Sequence, residues 1–349
     1  MARTPTAPTE VMTNEPVGTA SATPRPPWTQ WLTRYRETGV FLAFALLFGT
    51  MMAFSSTFRQ IFNLVIVLKQ MSTIAIMACG QTLVMISGAF DLSQGPIAGL
   101  VAMVTALLWS SFAIPPVLAL VLGFVTGALC GLTNGVLAAK LKLHPIIMTL
   151  ATSTIFTGLI YVVSEGNPVV NIPNAMLEPG AGTYRGFPVN AMLMLGVTLV
   201  MQVVLTRTLF GLHVRQVGGN RAAARVTGVR VQRVWVGVFV VSGLLSALGG
   251  IVELGRVGNA VPDIGSTLLF PIISATIVGG TLLTGGEGSM IGTLLGAAVL
   301  TIIDNALVIL AVNIYLQDVV QGLLVVVALV IDQVRRGNLT FHTLVRREL

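Results

Sequence analysis

Hydrophobic residues along this chain fall in long continuous runs. Val40–Ala53 reads VFLAFALLFGTMMA and Val117–Val125 reads VLALVLGFV. A helix needs about 20 apolar residues to cross the ~30 Å hydrocarbon core of a bilayer. The period-2 alternation of a membrane β-barrel does not occur in these runs. Ten apolar segments are predicted, at roughly 38–57, 62–88, 96–112, 115–139, 145–164, 189–206, 234–252, 267–283, 288–311 and 317–333. The pattern therefore predicts an all-α membrane protein with about ten transmembrane helices. The second segment is long enough to break near Gly80 or Gly88, and Pro271 predicts a kink in the eighth. The chain opens on a Pro-, Thr- and Ala-rich stretch without an apolar run. Residues 1–36 read as a disordered tail, not a signal peptide. The membrane domain is expected over 37–334 and a second tail over 335–349.

Composition agrees. Only 9% of the 349 residues are charged, against about 25% in a soluble domain. The net charge of +7 invites a nucleic-acid reading, but the positions of the charges favour membrane topology. With the N-terminus in the cytoplasm, the inner segments hold Arg3, Arg25, Arg34 and Arg36, then Lys140 and Lys142. Six arginines follow between Arg207 and Arg233, and four more from Arg335 onward. These are 16 of the 20 basic residues. Arg59, Arg185 and Arg256 fall outside and Lys69 within the second span. This asymmetry is the positive-inside pattern, and it places both termini in the cytoplasm.

Several chemistries are excluded. Lys69, Lys140 and Lys142 are the only lysines and none follows a glycine, so no Walker A sequence exists to bind ATP. His144, His213 and His342 all fall in predicted cytoplasmic segments, which leaves no membrane-embedded histidine relay and no base for a nucleophile. Cys79 and Cys130 lie inside apolar stretches and form neither a disulfide framework nor a metal spacing. Asp304 is the one acid well inside a span, which gives an ion-coupled secondary transporter little to work with.

Other features carry more information. Within the inner loop 207–233, Asn220 is placed to cap a short helix from Arg221, with Gly228 as its stop. Topology explains the arginines of this loop. It does not explain Ala222, Ala223 and Ala224, which make a slim helix suited to a partner's groove. Gly123, Gly127 and Gly131, like Gly292 and Gly296, recur at the spacing of close helix packing. Two Gly-rich polar breaks, 87–95 (SGAFDLSQG) and 279–289 (GGTLLTGGEGS), read as irregular backbone. At membrane depth such backbone must be covered by protein or line a cavity. Asn134 and Asn305 are costly to bury. With the breaks, they make Gln81, Asp91, Ser93, Gly95, Asn134, Thr149 and Asn305 the candidate residues of a path or of buried polar breaks. A weak echo of Gly127, Gly131 and Asn134 in Gly292, Gly296 and Asn305 hints at an inverted repeat.

Five stretches in order resemble the ribose-type sugar permeases of bacterial ABC importers, in the branched-chain-amino-acid/sugar permease superfamily. They are GQTLVMISGAFDLSQG at 80–95, NGVLAAKLKLHPIIMTLAT at 134–152, TLFGLHVRQVGGNRAAARVTG at 208–228, SGLLSALGGI at 242–251 and IVGGTLLTGGEGSMIGTLLG at 277–296. The resemblance runs from about residue 60 to 333. It implies a type II ABC importer-like fold without a catalytic site. ATP and Mg would sit on a separate ATPase subunit. The implied partners are that ATPase inside and a periplasmic or lipid-anchored sugar-binding protein outside. A second permease copy, or a similar permease in a heterodimer, would complete the path. The resemblance also implies a lipid surround, no nucleic-acid partner, and a location in the bacterial inner membrane, crossed several times. The segment Gly218–Gly228 resembles the family's coupling region, which makes Gly218, Gly219, Asn220, Ala222, Ala223, Ala224 and Gly228 the expected ATPase contacts. Two departures bear on substrate. The family's Glu-Leu-Asp is Leu269-Phe270-Pro271 here, and its Gly-Ile-Asp-Leu-Ser is Ala89-Phe90-Asp91-Leu92-Ser93. A branched-chain amino acid or a nucleoside is the alternative cargo within the superfamily. An ion-coupled transporter using Asp304 and a structural subunit without a path are the alternatives outside it.

Overall fold

The computed structural model describes residues 36–141 and 143–335. The expected tails at 1–36 and 335–349, except for the backbone of Arg36 and Arg335, lie outside the described residues, as does Lys142. The fold is almost wholly helical. Helices α1 (Arg36–Phe54), α2 (Ile61–Ile86), α3 (Gln94–Ser110), α4 (Pro116–Lys140) and α5 (Pro145–Ser164) come first. A short helix α6 (Asn174–Ala181) and a hairpin of β1 (Thr183–Tyr184) and β2 (Phe187–Pro188) follow, with Tyr184 opposite Phe187. Next are α7 (Val189–Arg207), α8 (Leu209–Gly219), α9 (Arg221–Val226) and α10 (Val231–Val257). The last are α11 (Leu269–Val278), α12 (Met290–Ile309) and α13 (Ile314–Arg335).

Each of the ten predicted apolar segments carries a helix. Among the described residues, six helices are long and apolar enough to cross a membrane: α2, α4, α5, α7, α10 and α12. Thr38–Phe54, α3 and α11 are apolar but shorter. The chain is thus a multi-pass membrane protein. Helix α2 runs unbroken through Gly80 and ends at Ile86; the chain turns at Gly88, where φ is +76°. The eighth segment differs from expectation. Only Leu269–Val278 is helical, about 15 Å of helix, or half the hydrocarbon core. Pro271 lies in the first turn of that helix, where a backbone N–H has no intrahelical acceptor to lose.

Helix α10 is the centre of the bundle and packs on α4, α2, α3 and α6. The glycine row of α4 is a packing device. A Cβ at Gly127 would lie 2.6 Å from the Ala247 methyl and 2.7 Å from the Gly243 carbonyl oxygen of α10. Gly131 abuts the Phe239 carbonyl and Gly123 abuts Thr105 of α3. The pair Gly292 and Gly296 lets α12 approach α11 in the same way, at Gly279 and Ala275. Lys69 reaches from α2 to donate to the Ala181 carbonyl oxygen at 2.8 Å. Its positive charge thereby meets the negative end of α6.

Candidate coupling and translocation site

Three irregular pieces of chain converge at one end of the bundle: the break after α2, the break after α11 and the junction of α8 with α9. The join is glycine against glycine. At Gly218 a Cβ would overlap the Ile86 carbonyl oxygen and lie 2.6 Å from the Gly286 nitrogen. At Gly285 it would lie 2.9 Å from the Gly88 Cα and 3.1 Å from the Gly218 Cα. Gly88 (φ +76°), Gly285 (φ +90°) and Gly286 (φ +84°) all adopt the left-handed conformation, which costs a residue with a Cβ. The Gly286 N–H donates to the Ile86 carbonyl at 2.8 Å, so the two breaks are hydrogen-bonded directly. Arg215 of α8 donates to the Gly288 carbonyl at 3.1 Å, and Arg221 of α9 donates to the Gly88 carbonyl at 2.6 Å. The Arg221 guanidinium also lies 4.6 Å from the centre of the Trp235 ring, in reach of a cation–π contact. Trp235 in turn donates its indole N–H to the Ser87 carbonyl at 3.3 Å. Helices α8 and α9 therefore touch both breaks, through backbone at Gly218 and through the side chains of Arg215 and Arg221.

Helix α9 is built as its sequence predicts. The Asn220 side chain accepts hydrogen bonds from the Ala222 and Ala223 N–H groups, each at 3.0 Å. The far end closes with a left-handed Gly228 (φ +85°). The Gly228 N–H bonds to Arg225 and the Val229 N–H to Ala224, the double bond pattern of a Schellman stop. The three alanines do not act alike: Ala224 is buried and anchors the helix, whereas Ala222 and Ala223 face out beside an exposed Val226. A Cβ on Gly219 would meet nothing within 4 Å, and the residue is exposed.

The first break holds a buried polar cluster. Asp91 Oδ1 accepts from the Ser93 N–H at 3.0 Å and the Ser93 hydroxyl at 2.6 Å, and Oδ2 accepts from the Ser242 hydroxyl at 2.8 Å. Gln94 Nε2 donates to Ser242 Oγ at 2.7 Å, and Asn134 Nδ2 donates to Ser93 Oγ at 2.7 Å. Thr149 Oγ1 accepts the Leu92 N–H at 3.1 Å. Asp91, Ser93, Gln94, Asn134, Thr149 and Ser242 are all fully buried. Four helices, α3, α4, α5 and α10, are thus tied to one irregular segment, as the rule on covered backbone requires. Neutral donors hold the carboxylate. Two acceptors in the cluster, Asn134 Oδ1 and Gln94 Oε1, have no partner.

The remaining candidates lie apart. Gln81 is fully buried, but neither side-chain polar atom has a partner and no hydrogen bond joins it to the Asp91 cluster. Its neighbour Thr82 faces Thr293 of α12 instead, at 2.6 Å. Gly95 is a packing glycine: its Cβ would lie 2.5 Å from the Gly265 carbonyl oxygen. Asn305 pairs with Asn63 of α2 through two reciprocal amide hydrogen bonds of 2.9 and 3.0 Å. Asp304 accepts from Gln321 of α13 at 3.2 Å. Sequence reasoning overlooked Gln94, Ser242, Asn63 and the clasp of Arg221 and Trp235. Gln94 stands three residues after Asp91 in the first break, which was a readable signal. Ser242 and Asn63 are single polar residues in apolar runs, and their partners lie 151 and 242 positions away.

Comparison with known proteins agrees with the motifs. The family model described as "Branched-chain amino acid transport system / permease component" matches residues 63–329. The chain is 35% identical to the ribose import permease of Bacillus subtilis over 301 residues, covering 85% of this chain and 93% of that one. It is 29% identical to the galactose/methyl galactoside import permease of Haemophilus influenzae over 318 residues, 86% of this chain and 95% of the relative. It is 30% identical to the fructose import permease of Rhizobium meliloti over 300 residues, 84% and 82% of the two chains. No solved structure matches the chain significantly.

Proposed function

Since the chain belongs to the family of branched-chain amino acid transport system permease components, we propose that it is the membrane-spanning subunit of an ATP-binding-cassette importer carrying a monosaccharide. The observation that carries the coupling part is the three-way glycine junction, where Gly218 meets Ile86 and Gly286. A partner ATPase pressing on α9 would move both breaks together. In this reading the ATPase docks on Asn220, Ala222, Ala223 and the neighbouring Gly218, Gly219 and Gly228, with Ala224 as the internal anchor. ATP and Mg belong to that subunit, and this chain performs no chemistry on its cargo. A binding protein delivers the sugar from outside, and a second permease copy or a similar permease completes the path. In this reading ten segments traverse the bacterial inner membrane, the eighth helical only over Leu269–Val278 and irregular for the rest of its path, with both termini in the cytoplasm, in accord with the charge asymmetry.

Asp91, Ser93, Asn134 and Thr149 are the proposed polar lining of the path at the first break. Asn134 Oδ1 and Gln94 Oε1 lack donors, and sugar hydroxyls supply donors when the path opens. The relatives named for ribose, galactose and fructose favour a sugar. The description of the family model favours a branched-chain amino acid as the second reading. Reconstitution with the cognate ATPase and binding protein is expected to give ATP-dependent uptake of a monosaccharide. Uptake by this chain alone, driven by an ion gradient and abolished by Asp304→Asn, would overturn the proposal.

A further inference from the structure

A cavity of about 300 Å³ opens at the basic end of the bundle, beside the junction rather than within it. Its walls are apolar: Ala139 stands in the last turn of α4, Pro145 begins α5 and Trp235 stands in the first turns of α10. Its polar side holds the cations Arg221 and Arg225 together with His144 and Gln232. Among the described residues no carboxylate pairs with either arginine. Arg221 uses its guanidinium toward Gly88 and Trp235, but five N–H donors leave several unspent. Burial and the like charge of Arg225 both lower the pKa of Arg221 from its ordinary value. An anion between the two guanidiniums would relieve that repulsion.

We infer that this cavity holds the phosphate headgroup of an anionic phospholipid from the cytoplasmic leaflet, with Arg221, Arg225 and His144 on the phosphate and the glycerol and upper acyl chain against Ala139, Pro145 and Trp235. The apolar wall is the reason to prefer a lipid to a soluble anion. It is made from the ends of helices α4, α5 and α10, each long and apolar enough to cross a membrane. Basic pockets between helices on that side suit anionic headgroups. Arg221 links the site to Gly88, so a bound lipid brings its charge to the hinge that joins α9 to the first break. The inference concerns lipid binding by the permease alone and stands or falls separately from the transported cargo.

The test is native mass spectrometry of the full-length permease in detergent, titrated with phosphatidylglycerol, phosphatidylcholine of the same chains, and glycerol 3-phosphate. Phosphatidylglycerol is expected to bind well ahead of phosphatidylcholine. Arg225→Gln is expected to weaken it about fivefold, the usual value of one cation near a membrane surface, and Arg225→Lys to restore most of the loss. Arg207→Gln, outside the cavity, should leave it unchanged. Equal binding of the two lipids, or equal losses in Arg225→Gln and Arg207→Gln, would overturn the site. Glycerol 3-phosphate binding as tightly as the lipid would replace the lipid with a soluble anion and overturn it too. So would an Arg225→Gln variant that keeps the lipid but no longer assembles with the ATPase, because Arg225 would then be serving a carboxylate of that subunit.

Discussion

Gly218→Ala places one methyl group where three pieces of backbone meet. The new Cβ would overlap the Ile86 carbonyl oxygen and stand 2.6 Å from the Gly286 nitrogen, whereas ordinary contact begins at 3.4 Å. The second break must therefore retreat by about 0.8 Å at Gly286, and the first by more. Both neighbours are backbone, so no side chain can swing aside. Overpacking of this kind costs about 1–3 kcal/mol. The wedge also separates the Gly286 N–H from the Ile86 carbonyl, now 2.8 Å apart, which adds about 0.5–1.5 kcal/mol. The total is about 1.5–4.5 kcal/mol. Gly219, one residue on, has nothing within 4 Å of a Cβ, so Gly219→Ala should shift stability by no more than about 1 kcal/mol. The assay is thermal unfolding of the detergent-purified chain, paired with ATP-dependent uptake in proteoliposomes. Gly218→Ala should unfold several degrees lower, and any variant that still assembles with the ATPase subunit should give a complex that hydrolyses ATP with little uptake. Gly219→Ala should match the parent in stability. A Gly218→Ala variant as stable and as well coupled as the parent would refute the junction as the transmission point.

Asn220→Ala removes the cap on the Ala222 and Ala223 N–H groups and should destabilise α9 by about 1 kcal/mol. Faster hydrogen exchange confined to 221–226 would show it, and Asn220→Asp should restore protection. Asp91→Ala leaves the Ser93 and Ser242 hydroxyls without their acceptor. At about 1–3 kcal/mol per unsatisfied buried group, it should lower the unfolding temperature, and a variant with unchanged stability would speak against the cluster as drawn. For the reciprocal amide pair, Asn63→Leu and Asn305→Leu should each destabilise. The double variant should cost less than the sum, by about 0.6–1.7 kcal/mol in a double-mutant cycle. Asp304→Asn is expected to leave ATP-driven uptake insensitive to pH and Na⁺ gradients, as in the parent.

The membrane class, the helical segments and the Asn220–Gly228 helix were legible in the sequence because each follows from local physics. An apolar run of sufficient length must satisfy its own backbone in lipid, and a cap, an alanine core and a stop glycine act within a few residues. The glycine spacing of α4 likewise announced close packing, although only the fold named α10 as the partner. Tertiary structure decided what depends on distant pairing. It brought Ser242 to Asp91 and Asn63 to Asn305, assigned Gly95 to packing against Gly265, and shortened the eighth segment to α11 because its flanks are held as turns. It also set α8–α9 against both breaks. Sequence marks a glycine where backbone needs room, but which backbone fills that room is fixed only when the helices have packed.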